Sequence, residues 1–329
     1  MPEKEKSQQG GSGKFILVDN LRKKFSGITG PDGQNDIPIT NTSLLLEGIH
    51  FNLVYFPLAH LGYKAVISSI SGIYSKGGVP SIISVNLGIS TRFKVEDIET
   101  IFQGVDYACR NYSLKLSDIS VESSLTGLTL AVTASGSRVG ESKHISMPSS
   151  NDLVCVTGKL GASYMGLHIL ERERKVFEES GGAQPRLEGY EYVIGQQLKP
   201  DLPVAVLEKI RNSGVDLTSL TVSKEGLSSD LVGLSKKYSL GCRIYLEKIP
   251  ISAEAAMVAD ELGIEPVISA LNGGDDYQFL FTVPITGNDA ISAIEGVAVI
   301  GHITPEGDGC NLVLHDGSLT EILAPGWEK

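Results

Sequence analysis

The chain has 329 residues, with 28 Lys and Arg against 39 Asp and Glu, which gives a formal net charge of −11. This length suggests two domains that each bury a core, and 41% hydrophobic residues exclude a disordered or collagen-like chain. The acidic balance argues against a nucleic-acid partner, because phosphate backbones are bound by clustered Lys and Arg. It still allows a phosphorylated small molecule, held by backbone amides, local cations or metal ions.

Signals for export or membrane insertion are missing from the sequence. Residues 1–13 are polar and lack the apolar core of a signal peptide, so we expect a mobile leader there. No apolar run approaches the ~18 residues that a membrane span needs. The four cysteines are far apart in sequence, which favours buried free thiols in a reducing compartment. We therefore expect a cytoplasmic protein that does not contact membranes.

Hydrophobic spacing predicts intermixed helices and strands before residue 140. Residues 26–40 are rich in Gly, Pro, Asp and Asn, and we expect them to be irregular. The predicted segments are helices at 15–25, 61–77 and 95–111, strands at 81–89 and 128–134, and a strand that runs into a turn at 43–51.

A polar linker at 142–151 separates two predicted domains, 14–148 and 149–329. The second domain restarts with a buried-type strand and a Gly-rich turn. Its predicted segments are strands at 153–157 and 278–283, a turn at 158–161, a helix at 163–174 and a polar loop at 176–190. Adjacent strands often lack a helix between them, which favours a mixed α/β (α+β) fold over a doubly wound parallel sheet.

Common nucleotide-binding and hydrolase signatures are absent from the sequence. The segment Gly273-Gly-Asp-Asp-Tyr277 is more informative, because two glycines let a ligand approach the backbone and two acids follow. A simple turn with solvated acids explains it equally well. A single histidine such as His50 is more often structural than catalytic. Trp327 either fixes the C-terminal tail or stacks on an aromatic ligand.

Several stretches that occur in order resemble one family. They are Glu47-Gly-Ile-His-Phe51, Pro57 to Ala65, Val156 to Gly161, Gly226-Leu-Ser, Asn272 to Tyr277, Gly301-His-Ile and Gly326-Trp327. Together they resemble the thiamine-monophosphate kinase family, of the aminoimidazole-ribonucleotide synthetase-like superfamily, over about residues 14–328. No single stretch is decisive; the ordered set is specific.

The resemblance implies a two-domain synthetase-like fold that forms a homodimer through the sheet of its N-terminal domain. It also implies transfer of the γ-phosphoryl group of ATP to thiamine monophosphate, which gives thiamine diphosphate. Mg²⁺ and ATP would be the cofactors, and aspartates would hold the metal ions because Mg²⁺ prefers hard oxygen ligands.

Most residues that the resemblance assigns to Mg²⁺ and ATP are replaced in this sequence. The replaced positions carry Thr42, Ser43, Gly72, Ser120, Ile145, Val222, Lys224 and Glu225. By contrast, the positions expected to hold the substrate carry His50, Asp275 and Trp327. The metal ligands, if there are any, cannot be named from the sequence.

Three hypotheses follow from this asymmetry. The preferred one is a kinase-fold paralogue with low or no phosphoryl-transfer activity that keeps a pocket for thiamine monophosphate or a similar aromatic phosphate. The second is an active kinase with rearranged ligands, such as Asp36, Glu122 and Glu225. The third is a non-catalytic dimer partner or structural subunit.

Overall fold

A computed structural model of the chain describes residues 14–24, 38–138, 145–182 and 184–324. Its strands lie in a four-stranded sheet and a seven-stranded sheet within these residues. The predicted leader at 1–13, the acids Asp32 and Asp36, and Trp327 fall outside the described residues. Intermixed strands and helices confirm the mixed α/β class.

The helices and strands alternate irregularly along the chain. In chain order they are α1 (Lys14–Lys24), β1 (Ile39–Leu46), α2 (Leu58–Tyr74), β2 (Gly78–Ile89), α3 (Val95–Asn111), β3 (Lys115–Ser123), β4 (Leu128–Arg138), β5 (Leu153–Thr157), α4 (Ala162–Glu179), α5 (Glu191–Leu198), α6 (Val204–Arg211), β6 (Ser219–Ser223), α7 (Leu227–Tyr238), β7 (Leu240–Tyr245), α8 (Ala253–Leu262), α9 (Pro266–Asn272), β8 (Gln278–Val283), α10 (Asn288–Ser292), β9 (Val297–Pro305), β10 (Cys310–Val313) and β11 (Leu319–Glu321).

The four-stranded sheet has the order β1-β4-β2-β3, with β2 and β3 parallel and the other pairs antiparallel. Helices α2 and α3 pack closely against each other beside this sheet. A β-carbon added at Gly62 would lie 2.0 Å from the carbonyl oxygen of Ile101, and one at Gly104 would lie 1.8 Å from that of Ala59. These glycines therefore let the two helix backbones touch. Because α2 is held this close, its position against the sheet is well defined.

The seven-stranded sheet has the order β11-β10-β7-β9-β5-β8-β6. Every residue of β5 is buried, as expected for a central strand covered on both faces. One hydrophobic cluster includes residues of both sheets, and the ring of Tyr74 in α2 lies 6.0 Å from that of Phe279 in β8. The two halves of the chain thus share buried apolar surface.

Two predicted elements have other ends in the structure, and one strand was not predicted. The strand predicted to run into a turn over 43–51 already begins at Ile39 and ends at Leu46, and the amide of Gly48 donates to the carbonyl of Phe51 and closes the turn. Helix α4 continues to Glu179, into the predicted loop, and an Arg174–Glu178 ion pair of 2.8 Å supports the extra turn. Strand β3 was not predicted, because eight of its nine residues are exposed and it lacks a buried face.

The predictions for strongly periodic segments are confirmed. Helix α3 and strands β5 and β8 have the predicted bounds. All four cysteines are free and buried, as their apolar surroundings indicate. In the part of the chain that the structure describes, no helix is both long enough and apolar enough to cross a membrane.

Candidate functional site

The loop between α9 and β8, residues 273–277, lies on the loop that follows β6. The amide of Asp275 donates to the carbonyl of Lys224, and the amide of Tyr277 donates to that of Ser223, both at 2.8 Å. Gly274 has a φ of +78°, and an added β-carbon would lie 2.6 Å from the Lys224 carbonyl oxygen. The double glycine therefore serves backbone-to-backbone packing between the two loops.

Asp275 forms an ion pair with Lys64, which comes from α2 beside the other sheet. The Lys64 Nζ lies 2.9 Å from the Asp275 Oδ2, and the side chains are 3% and 33% exposed, respectively. Lys64 also donates to the backbone oxygen of Gln197 at 2.7 Å and to its Oε1 at 3.4 Å. All three ammonium protons therefore have acceptors.

The charge state of Asp275 follows from these neighbours. Burial alone would raise the pKa of the Asp275 carboxyl, but the nearby Lys64 ammonium more than offsets this, so the pKa lies below its usual range. The Tyr277 hydroxyl and the charge of Lys224 act in the same direction. Asp275 is consequently an anion at neutral pH, and one third of its side chain is open to solvent.

Asp276 faces the opposite way and caps helix α4. Its Oδ2 accepts a hydrogen bond of 2.9 Å from the amide of Gly161, and the Ser163 amide also bonds to the carboxyl. Burial raises the pKa of Asp276 to about 7 despite these bonds. The Ser163 hydroxyl donates to the Gln197 Oε1. Gln197 thus links the surroundings of the two acids, Asp275 through Lys64 and Asp276 through Ser163.

A third acid, Asp230, lies in the first turn of α7. Burial raises its pKa well above the usual range, and the negative charges of Glu225 and Asp276 add to the effect. Within the described residues, its Oδ2 is buried without a hydrogen-bond partner. Burial therefore favours the protonated form of this carboxyl, and a protonated carboxyl is a poor ligand for a hard cation.

The positions predicted to hold Mg²⁺ on the first sheet carry no acid. The Thr42 hydroxyl lies 2.9 Å from that of Thr133, and the Ser43 hydroxyl donates to the carbonyl of Ser68 at 2.8 Å. A β-carbon at Gly72 would lie 2.2 Å from the Cγ of Asn41, so the Asn41 amide fills the space that a side chain at residue 72 would need.

The remaining replaced positions are scattered. Ser120 lies on the edge strand β3, and Ile145 packs beside Gly77. Val222 is buried in β6, and Lys224 and Glu225 follow that strand. The described ranges contain no group of three or more His, Cys, Asp or Glu side chains that could hold a metal ion. The donor set of these residues therefore does not fit Mg²⁺.

His50 lies in the exposed turn after β1. Its Nδ1 accepts a hydrogen bond of 3.0 Å from the amide of Leu46, so the proton of the neutral ring is on Nε2. Glu47 in the same turn accepts from the amide of Leu128 at 2.8 Å and pairs with Arg92. Both side chains help to hold the turn in place.

Comparison with known proteins gives consistent results over nearly the whole chain. Residues 33–137 match the family described as AIR synthase related protein, N-terminal domain. A thiamine-monophosphate kinase of Aquifex aeolicus is 28% identical, and the match covers 96% of this chain and 97% of the relative. A thiamine-monophosphate kinase of Bacillus subtilis is 27% identical, with coverage of 78% and 74%.

Solved structures agree with the sequence matches. The structure of AaThiL complexed with AMPPCP and TMP has a TM-score of 0.78 and 26% identity, and 96% of each chain is covered. This chain is similar to thiamine-monophosphate kinases over nearly its whole length. Escherichia coli HypE, a hydrogenase maturation protein, has a TM-score of 0.68 at 15% identity and shares the fold only.

Sequence reasoning missed three residues that surround the acids Asp275 and Asp276. Lys64, Gln197 and Asp230 form hydrogen bonds, ion pairs or close charge contacts there. One signal was available, because Lys64 is the one charged residue in the otherwise apolar and small-residue sequence of α2. A lone charge in such a helix predicts a buried counter-charge.

The Lys64–Asp275 pair makes an asymmetric prediction about stability. We expect Asp275→Asn to lower the free energy of unfolding by about 3 kcal/mol or more, because it leaves a buried ammonium without its counter-charge. Lys64→Met should cost less, since the Asp275 carboxylate is 33% exposed and can be hydrated. Urea denaturation followed by circular dichroism measures both.

The control is Lys76→Met, at an exposed position just after α2, with an expected change in the free energy of unfolding within about 0.5 kcal/mol. A larger cost for Lys64→Met than for Asp275→Asn would contradict this assignment.

Asp276 predicts that stability falls as the pH rises from about 4 to 7. The folded protein keeps this proton up to a pKa of about 7, whereas the unfolded chain releases it near the ordinary value of 3.8. The folded state binds more protons in this window, so the free energy of unfolding decreases by up to about 1.4 kcal/mol per pH unit. The pKa of Asp275 is lowered, so this group changes the free energy of unfolding only at pH values below this window.

The substitution Asp276→Asn should flatten that pH dependence. A smaller slope should remain, because the pKa of Asp230 is also raised. Urea titrations at half-unit pH steps measure it, and the exposed Asp289→Asn serves as the control that keeps the wild-type slope. An unchanged slope in Asp276→Asn would show that Asp276 does not hold the proton.

Proposed function

We propose that this chain is a kinase-fold protein that binds thiamine monophosphate or a similar aromatic phosphate and has little or no phosphoryl-transfer activity. The observation that carries this proposal is the donor set at the expected metal and nucleotide positions, which offers hydroxyls, a glycine, two apolar side chains, a cation and a single carboxylate, that of Glu225. The family assignment supports the ligand class, since related proteins are thiamine-monophosphate kinases and one related structure holds AMPPCP and TMP.

The loss of activity is argued from what Mg²⁺ requires. Phosphoryl transfer to a phosphate acceptor brings several negative charges together, and metal ions held by carboxylates ordinarily neutralise them. Ser43 uses its hydroxyl to bond the Ser68 carbonyl, and Gly72 has no side chain. Val222 is buried and apolar. No transfer step is therefore assigned to these residues.

We propose His50, Asp275 and Trp327 as the substrate-binding residues. Asp275 offers a partly exposed carboxylate that stays charged at neutral pH, which suits an amino group or a cationic ring. His50 lies on an exposed turn, and its role is proposed from its place in the sequence motif. The flat indole of Trp327 suits stacking on an aromatic ring, a role that rests on its sequence position alone.

Rearranged metal ligands are the alternative. Glu122 is exposed on β3, and Glu225 lies near the buried Asp230, while Asp36 is outside the described residues. An active kinase would need these acids to meet around one phosphate group. The two hypotheses differ in turnover, not in binding of the substrate.

The first test measures binding and turnover on the full chain. Calorimetric titration should show binding of thiamine monophosphate, and Asp275→Asn should weaken it about tenfold or more, because a charged hydrogen bond is worth about 1.5–3 kcal/mol. Asp260→Asn is the control, at an exposed acid in α8. With Mg-ATP, no thiamine diphosphate should accumulate above background.

Turnover that EDTA removes and that Glu225→Gln lowers would overturn the inactive assignment and support rearranged ligands. Absence of thiamine monophosphate binding by folded protein, checked by circular dichroism, would overturn the ligand assignment itself.

We further propose a homodimer formed through the four-stranded sheet, with a division into a leader at 1–13 and domains at 14–148 and 149–329. The support is apolar surface on this sheet and its edge. Leu44, Ile82, Ile119 and Val121 are 50%, 43%, 49% and 46% exposed, respectively. Exposed strand edges with apolar side chains ordinarily pair with another chain. If the chain is instead a structural subunit, the same surface would bind a different member of the family.

The dimer is tested by analytical ultracentrifugation across a concentration series. Val121→Lys should raise the dissociation constant at least tenfold, because it places a charge in an apolar contact. Met257→Lys is the matched control, since Met257 is 71% exposed on α8, far from this sheet in sequence. A monomeric wild type that associates with a relative carrying the aspartates would favour the structural-subunit hypothesis instead.

A further inference from the structure

Two of the four cysteines lie directly opposite each other. Strands β7 and β10 are parallel, and Cys242 pairs with Cys310 in their register. Adjacent strands are about 4.8 Å apart, and paired residues point to the same face of a sheet. This spacing lies in the range of Cα separations that disulfides bridge, about 4.4–6.8 Å. The two thiols are therefore neighbours on one face.

The two thiols differ in acidity. A hydrogen bond between them lowers the pKa of the Cys310 thiol and raises that of Cys242, and burial adds to the increase at Cys242. The thiolate is the nucleophilic form of cysteine, so Cys310 is the member that attacks. Cys242 then has the role of the resolving thiol.

The pair lies near the edge of the seven-stranded sheet, on the face that α7 covers. Cys310 is 8% exposed and its Sγ lies 3.9 Å from the carbonyl oxygen of Leu231, whereas Cys242 is fully buried. In the part of the chain that the structure describes, the strand beyond β10 is β11, whose three residues Leu319–Glu321 are all exposed. A short, solvated edge strand opens locally at low cost, which admits a small reagent.

We propose that Cys242 and Cys310 form a reversible dithiol–disulfide site that reacts with small disulfides. The Cys310 thiolate attacks one sulfur of a disulfide RSSR, the RS–SR bond breaks, and RS⁻ leaves. The Cys242 thiol then loses its proton and attacks the Cys310 sulfur, and the second RS⁻ leaves and takes up a proton. Two thiols are thereby oxidised by two electrons, and RSSR is reduced to two RSH.

The bond should be easily reduced. The β-carbons of a disulfide lie about 3.8 Å apart, which is closer than neighbouring strands ordinarily bring them, so closure pulls β10 towards β7. A strained disulfide has a higher reduction potential than a relaxed one. Millimolar thiol should therefore restore the reduced pair.

The experiment treats the full-length protein with 2-hydroxyethyl disulfide and then counts free thiols after quenching and unfolding. The count should fall from four to two, and non-reducing peptide mapping should join the peptide of Cys242 to that of Cys310. Dithiothreitol should return the count to four. The double variant Cys109→Ala/Cys155→Ala is the control; burial raises the pKa of Cys109 to about 11 and that of Cys155 to about 12. It should form the same link.

Two single variants separate the roles. Cys242→Ala should stop at a mixed disulfide on Cys310, and Cys310→Ala should carry at least tenfold less adduct at Cys242. Four free thiols in oxidised wild type, or a link between other cysteines, would overturn the proposal. The wild-type map decides the question even if a variant does not fold.

Discussion

The buried ammonium of Lys64 is the constraint on which the arrangement of the site depends. A charge that is 3% exposed is stable only with acceptors and a counter-charge around it. The lysine and its partners come from three separate parts of the chain: α2 supplies the lysine, the loop before β8 supplies Asp275, and α5 supplies Gln197. The ion pair thus adds a polar contact to the apolar surface that the two sheets share.

The same pair explains the backbone of the loop before β8. Asp275 and Tyr277 have φ values of 55° and 52°, in the left-handed region that ordinarily favours glycine. Hydrogen bonds from their amides to the loop after β6 hold this conformation, and the Lys64 ammonium fixes the Asp275 carboxylate. Local strain is thus balanced by contacts from elsewhere, which is common where a side chain must face a ligand.

Sequence periodicity predicted elements where burial repeats regularly, as in α3, β5 and β8, whose bounds match. It missed β3, because an exposed edge strand has no buried alternation to detect. For the site, Asp275 was singled out from its glycines, but its partner Lys64 was not, since pairing across two sheets is a tertiary property. Asp275 and Asp276 illustrate the same limit. The pKa of the first is lowered and that of the second is raised, by surroundings that the sequence does not display.

The contact between Asn41 and Gly72 couples two positions that are 31 residues apart in sequence. The Asn41 amide occupies the volume beside residue 72 and donates to the carbonyl of Ser69 at 3.0 Å. Any side chain at residue 72 would have to turn this amide aside and break that hydrogen bond. The effects of substitutions at residues 41 and 72 on stability are therefore not additive, and the two positions are constrained to change together.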